Sequence, residues 1–143
     1  MKDLQNTRVN NLDIESDFSI LESQEKLLFA IKNQVGKGKA YVFLELKNKL
    51  KGKGPFSINF WRTKDGAEVD FVLRKGKKII GIECKFSDFK VPKYTRSMRS
   101  FVEKYKPASF FVLNKSFKSE VLIGKTKIIF LPYYEIDKIV SGV

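Results

Sequence analysis

The stretch Phe60–Lys85, FWRTKDGAEVDFVLRKGKKIIGIECK, limits the possible folds of this chain more than any other, because it reads as three consecutive strands separated by turn sequences. KDG and RKGK fall between β-prone runs, and glycine supplies the positive φ that tight hairpin turns need. A meander follows. Alternate residues of a strand share a face, so Glu68 and Asp70 are expected to point one way, with Val69 and Phe71 behind them. The same rule pairs Glu83 with Lys85 and sets Ile82 and Cys84 behind.

These acids lie inside strands rich in Val, Phe, Leu and Ile rather than in loops. Desolvating neighbouring carboxylates is costly unless a cation compensates, and a divalent metal or a nearby ammonium would serve. Asp70 and Glu83 offer the one or two carboxylates that Mg2+ (or Mn2+) takes alongside water and phosphate oxygens, and Lys85 would face the same site. The plain alternative is a solvated strand face on which Lys85 neutralises the acids.

Asp70, a short hairpin and then Glu83-x-Lys85 resemble the PD-(D/E)xK nuclease superfamily, whose shared core runs helix, three-stranded meander, helix, strand. WRTKDGAEVDFVL followed by IECK is similar, more narrowly, to the nuclease-like C-terminal domain of prokaryotic AAA-type ATPases. The resemblance spans about residues 36–135 and implies an α/β domain with a restriction-endonuclease-like core, a mixed sheet of four or five strands flanked by helices. It also implies a catalytic trio for DNA phosphodiester hydrolysis. Asp70 and Glu83 would hold Mg2+ or Mn2+, and Lys85 would position or polarise the attacking water. Glu68 would be either a ligand or a residue that orients the ligands. Related nucleases often carry a glutamate on the first helix, four residues after a glycine; counting from Gly36, that place is Ala40. Glu45 is the nearest acid, but five residues at about 100° each put it about 140° around the helix from Ala40. This departure weakens the case for cleavage and leaves metal or nucleic-acid binding open.

With 143 residues, 43% of them hydrophobic and 13 of them Phe, the chain can bury one real core and is short for two. Residues 1–15 read as a polar arm and 16–143 as the single domain. Twenty-eight Lys and Arg against 16 Asp and Glu give a net charge of +12, which favours polyanionic partners through counterion release. There is one cysteine, Cys84, and no histidine, so an intrachain disulfide, Cys- or His-based zinc sites and imidazole-activated nucleophiles are excluded. Carboxylate, lysine, tyrosine and metal remain. Neither a signal peptide nor a membrane-spanning run is visible, and a cytoplasmic location is expected.

Ser19-x-x-Glu22 reads as a capping box opening a helix with Ile20, Leu27, Leu28, Ile31 and Val35 on one stripe, ended by Gly36 and Gly38. AYVFLELKNKL, apolar nearly all round, reads as a core helix whose last turn and following segment are basic, with Lys47, Lys49, Lys51 and Lys53 close together. VGKGKA is not a phosphate-binding P-loop, because Asn33 and Ala40 stand where that motif requires Gly and Ser or Thr. Residues 91–106 read as an amphipathic helix with Tyr94, Met98, Phe101, Val102 and Tyr105 inward. Lys93, Arg96, Arg99 and Lys104 lie opposite, the first three as candidate DNA phosphate contacts beside the acidic face, although charged helix faces more often simply meet water. ASFFVL (108–113) reads as a parallel buried strand, KIIFLP (127–132) as a further strand, and YYEIDKIV as a closing helical turn or two. Trp61 is expected in the core, with base stacking as the minor reading, and Cys84 is expected to pack there as a small apolar residue.

Three functions remain open on sequence. The first is a Mg2+-dependent nuclease-like domain acting on DNA. The second is a catalytically degenerate nucleic-acid-binding or regulatory C-terminal domain of an AAA-type ATPase, with that ATPase domain or subunit as partner. The third and least favoured is a protein-interaction domain. Duplex cleavage would call for a homodimer, but the sequence marks no dimer face.

Overall fold

The structure, a computed structural model, describes residues 18–20 and 37–141. Its strands are β1 (Phe18–Ile20), β2 (Ser57–Arg62), β3 (Glu68–Lys75), β4 (Lys78–Cys84), β5 (Ser109–Asn114), β6 (Ser119–Ile123) and β7 (Thr126–Pro132). They form one mixed sheet in the order β1-β2-β3-β4-β5-β7-β6. The helices are α1 (Lys37–Lys49), α2 (Arg96–Tyr105) and the short α3 (Asp137–Val140), which follows a 3-10 turn at Tyr133–Glu135.

The meander forms as the turn sequences predict: β2, β3 and β4 pair antiparallel, with Gly66 and Gly76 at φ of 92° and 61° in the two turns. The crossover through α2 then makes β5 parallel to β4, and β7 is parallel to β5. The sheet is larger than the four or five strands expected. Six strands lie within residues 37–141, and the three-residue β1 pairs with β2 at the edge. Ser19 opposes Phe60 in that ladder, so the capping-box reading of Ser19 and the helical placement of Ile20 are corrected. Glu22, Leu27, Leu28, Ile31 and Val35 lie outside the described residues.

Two apolar layers sandwich the sheet. On one face Ala40, Phe43 and Leu46 of α1, with Leu50 just after it, pack with Phe71, Leu73, Ile80, Ile82 and Cys84, and Ile136, Ile139 and Val140 close the layer. On the other face Met98, Phe101 and Val102 of α2 pack with Trp61, Val69, Val72, Phe110 and Phe130. Helix α1 buries one side only: Tyr41, Lys47 and Asn48 are exposed, which corrects the expectation of a helix apolar nearly all round. Gly38 lies in its first turn rather than ending a helix. A Cβ there would come 2.6 Å from Phe86 Cε2, so the glycine lets that ring sit against the helix backbone. Helix α2 starts later than expected, at Arg96, with the Thr95 side chain accepting from the Met98 N–H at 3.0 Å. Lys93 and Tyr94 therefore precede the helix, and Tyr94 is exposed rather than part of its buried stripe.

The alternation along β3 breaks where the acids lie. Asn59 pairs with Val72 but Trp61 with Val69, so Asp70 and Phe71 together oppose the single residue Phe60. This is a β-bulge. Its effect is that Val69 joins the α2 layer and Phe71 the α1 layer, where strict alternation would place both on one face.

Gly81 faces the α2 layer opposite Val72, and a Cβ on it would lie 2.5 Å from Phe110 Cε2 and 3.0 Å from Phe101 Cε1. Both rings are fully buried and cannot retreat. Gly81→Ala is expected to cost about 1–3 kcal/mol by overpacking, read as a lower urea midpoint with an unchanged slope.

Candidate functional site

The bulge delivers Asp70 to the end of the sheet where β3 begins and β4 finishes. Its Oδ1 accepts from Lys39 Nζ of α1 at 2.7 Å, and its Oδ2 accepts from the Cys84 backbone N–H at 2.8 Å. The Asp70 and Lys39 side chains are 11% and 24% exposed, so this ion pair is largely shielded from water. Glu83 is buried and hydrogen-bonded to Asp70. Burial first, and then the Asp70 charge and hydrogen bond, push its carboxyl up to about 9, against smaller pulls from Lys85 and Lys39. A protonated Glu83 is therefore the donor in a carboxyl–carboxylate pair at neutral pH.

Burial alone would lower the Lys39 ammonium, but the hydrogen bond and charge of Asp70 outweigh it and raise the group above its usual range. The Cys84 thiol is pushed up by burial and then by the Asp70 charge, and it packs in the α1 layer as an inert apolar group. Lys85 is exposed; its backbone N–H donates to the Leu113 carbonyl at 2.7 Å, and its charge reaches Glu83.

Of the residues picked from sequence, Asp70, Glu83 and Lys85 come together. Glu68 does not join them. It is exposed and paired with Arg62, whose Nη2 and Nε both lie 3.1 Å from its Oε2, and its backbone N–H donates to Ser97 Oγ. Glu45 accepts from Tyr41 Oη at 3.4 Å and lies 3.8 Å from Lys49, on a different side of α1 from Asp70's partner. Ala40 is 4% exposed in the core, so that position could not carry a ligand without repacking the α1 layer. Arg96 and Arg99 are exposed on α2, with the Arg99 guanidinium 5.7 Å from the Tyr94 ring centroid. Trp61 is 1% exposed, and its Nε1 donates to Tyr105 Oη at 2.9 Å, which places it in the core.

Lys39 is the site residue that the sequence reading misses. It stands one residue before Ala40, in the first turn of α1.

The donor set fits a resident divalent metal poorly. Both Asp70 oxygens are engaged, one by an ammonium, and Glu83 holds a proton that a metal would have to displace. Among the described residues no three Asp, Glu, Cys or His side chains converge as a metal-binding group. The ammonium of Lys39 supplies the compensating charge that the buried acids need.

Residues 39–134 match the family described as DUF4143, a domain of unknown function. The chain belongs to the DUF4143 family. DUF4143 domains are found in AAA-ATPase-associated proteins, in keeping with the coarser part of the resemblance carried by WRTKDGAEVDFVL and IECK. No curated protein matches the chain. The DUF4143 match begins at Lys39 and ends at Tyr134, so it takes in Asp70, Glu83, Lys85 and Lys39, which pairs with Asp70. Among the described residues no helix is long and apolar enough to cross a membrane.

Proposed function

We propose that this chain is a nucleic-acid-binding, regulatory domain of an AAA-type ATPase system, built on a restriction-endonuclease-like frame whose cation position is taken by Lys39. The observation that carries the reading is the 2.7 Å contact of Lys39 Nζ with Asp70 Oδ1, where a catalytic metal would need that oxygen free. The frame is supported by the element order: α1, the meander β2 to β4, α2 and β5 follow the helix, meander, helix, strand sequence of that superfamily. Polyanion binding is supported by the net charge of +12. Arg96, Arg99 and Lys93 are exposed where they can meet phosphates.

A second reading, a Mg2+- or Mn2+-dependent nuclease, is favoured by one observation: Asp70 and Glu83 are in hydrogen-bond contact, with Lys85 two residues on.

Fluorescence anisotropy with labelled DNA across a salt series, run beside cleavage assays in Mg2+ and Mn2+, separates the two. Expected is DNA binding whose affinity falls steeply with salt, kept in Asp70→Asn and weakened in an Arg96→Ala, Arg99→Ala double variant, with no metal-dependent cutting. Cutting by the wild type that is lost in Asp70→Asn and Lys85→Ala would overturn the proposal in favour of the nuclease. An absence of DNA binding at low salt would overturn both readings.

A further inference from the structure

Four aromatic rings from three separate segments meet at the surface by the N-terminal end of α1, where Phe86 rests on Gly38. Tyr41 comes from α1, Phe86 directly follows Lys85 at the end of β4, and Tyr133 and Tyr134 belong to the 3-10 turn after β7. Tyr133 is the hub, with its ring centroid 6.0 Å from Tyr41, 5.8 Å from Phe86 and 5.6 Å from Tyr134, in edge-to-face contacts throughout. Edge-to-face packing sets the edge of one ring against the face of the next, so no two rings of the cluster stack on each other. All four rings nevertheless remain in contact with solvent: 42% of Tyr41, 36% of Phe86, 38% of Tyr133 and 60% of Tyr134 is accessible.

A connected group of aromatics held at the surface is costly to leave in water and marks a binding surface. The occupant follows from charge. Lys85, exposed, adjoins Phe86 in the chain, and Phe86 rests on the first turn of α1 at Gly38, next to Lys39. The acids around the cluster have cations of the chain beside them: Glu135 pairs with Lys118 and Lys138, Asp137 pairs with Lys49, and Glu45, which accepts from Tyr41 Oη, lies 3.8 Å from the same Lys49. Aromatic faces with an adjoining cation suit a polyanion whose bases are unstacked, since every base offers a π face while the lysine meets the backbone. A duplex keeps its bases stacked inward and presents none to such rings.

We propose that the Tyr41, Phe86, Tyr133 and Tyr134 cluster is a stacking platform for single-stranded DNA, with Lys85 as its phosphate contact. This rests on the nucleic-acid-binding reading and adds which form of DNA is held and where. The rings are fixed by their mutual contacts before any ligand arrives, which lowers the ordering cost of binding.

The test compares a labelled oligothymidylate strand with a duplex of equal length by anisotropy, for the wild type and for Tyr41→Leu with Tyr134→Leu, the two most exposed rings. Leucine keeps the apolar character and removes the π face. The expected result is a loss of roughly tenfold or more in single-strand affinity, an unchanged duplex affinity, and recovery in the Tyr41→Phe, Tyr134→Phe variant. Lys85→Ala should weaken single-strand binding and reduce its salt slope by about one phosphate contact. Unchanged single-strand affinity in the leucine variant, or equal losses for strand and duplex, would overturn the stacking platform while leaving nucleic-acid binding in place. Failure of the wild type to bind either probe would overturn both.

Discussion

Between about pH 5 and about pH 9 the folding stability of the wild type is expected to fall more steeply than that of Glu83→Gln, by on the order of 1 kcal/mol for each pH unit. The cause is one proton. Glu83 titrates near its ordinary 4.5 in the unfolded chain but at about 9 in the fold, where burial and Asp70 favour the neutral acid. Within that window the folded state holds a proton that the unfolded state has released, so rising pH draws the equilibrium toward unfolding. Below the window both states are protonated and the full stability is present; above it both are ionised and the loss is complete. Lys39 acts outside this range, because its raised ammonium contributes stability that is lost only as pH passes above the usual lysine value of 10.5. Glutamine keeps the length and a donor toward Asp70, so it isolates the titration from the packing. Urea denaturation of both proteins across the window measures the difference. Parallel pH profiles would show that Glu83 carries no extra proton, and the carboxyl–carboxylate pair would have to be redrawn as two anions sharing Lys39.

The second large effect concerns the cation itself. In the wild type, millimolar Mg2+ or Mn2+ is expected to leave the melting temperature nearly unchanged, because Lys39 Nζ already sits on Asp70 Oδ1. Lys39→Glu should reverse this. Without metal it sets a third carboxylate beside a shielded pair and removes the only ammonium bonded to Asp70 among the described residues, a loss of about 3 kcal/mol or more. With metal, three carboxylates can share one divalent ion, and the variant should regain about 2.7 kcal/mol at a metal concentration a hundredfold above its dissociation constant. Lys39→Met, which keeps much of the stem volume without charge, should lose stability and regain little on adding metal. Thermal melts with and without Mn2+, supported by titration calorimetry, decide the matter. A wild type stabilised by metal as much as Lys39→Glu would show that the ammonium yields to the ion, which would restore the nuclease reading.

Much of the site is legible in the amino-acid sequence. Asp70, Glu83 and Lys85 stand out because acids inside apolar strands, at hairpin distance, need a partner. The resemblance directs attention to Ala40, and that residue lies in the core. Lys39 escapes notice because its neighbourhood, VGKGKA, suggests a phosphate loop and nothing local ties a helix lysine to a strand acid. The Glu68 expectation fails for a local reason: at the start of β3 it is exposed and within reach of Arg62 across the hairpin, so it pairs there. The β6–β7 hairpin is only half legible. KIIFLP reads as a strand, whereas the preceding SEVLI alternates between half-buried and exposed positions and carries a weaker apolar signal, although Gly124 at φ 60° marks the turn between them.

The meander, the crossover helix with its parallel strand, and the identity of the buried acids are written in the chain itself, because turn chemistry and hydrophobic periodicity act over a few residues. What neutralises those acids, and which of them meet, depends on how the layers pack. Strict alternation places Val69 and Phe71 on one face, but the bulge opposite Phe60 sends them into different layers and turns Asp70 toward α1. The 31-residue separation of Lys39 from Asp70 is closed by packing of α1 on the sheet, and no local pattern encodes that contact. A buried charge takes whichever counter-charge the packed layers bring within reach, and here the layers bring a lysine.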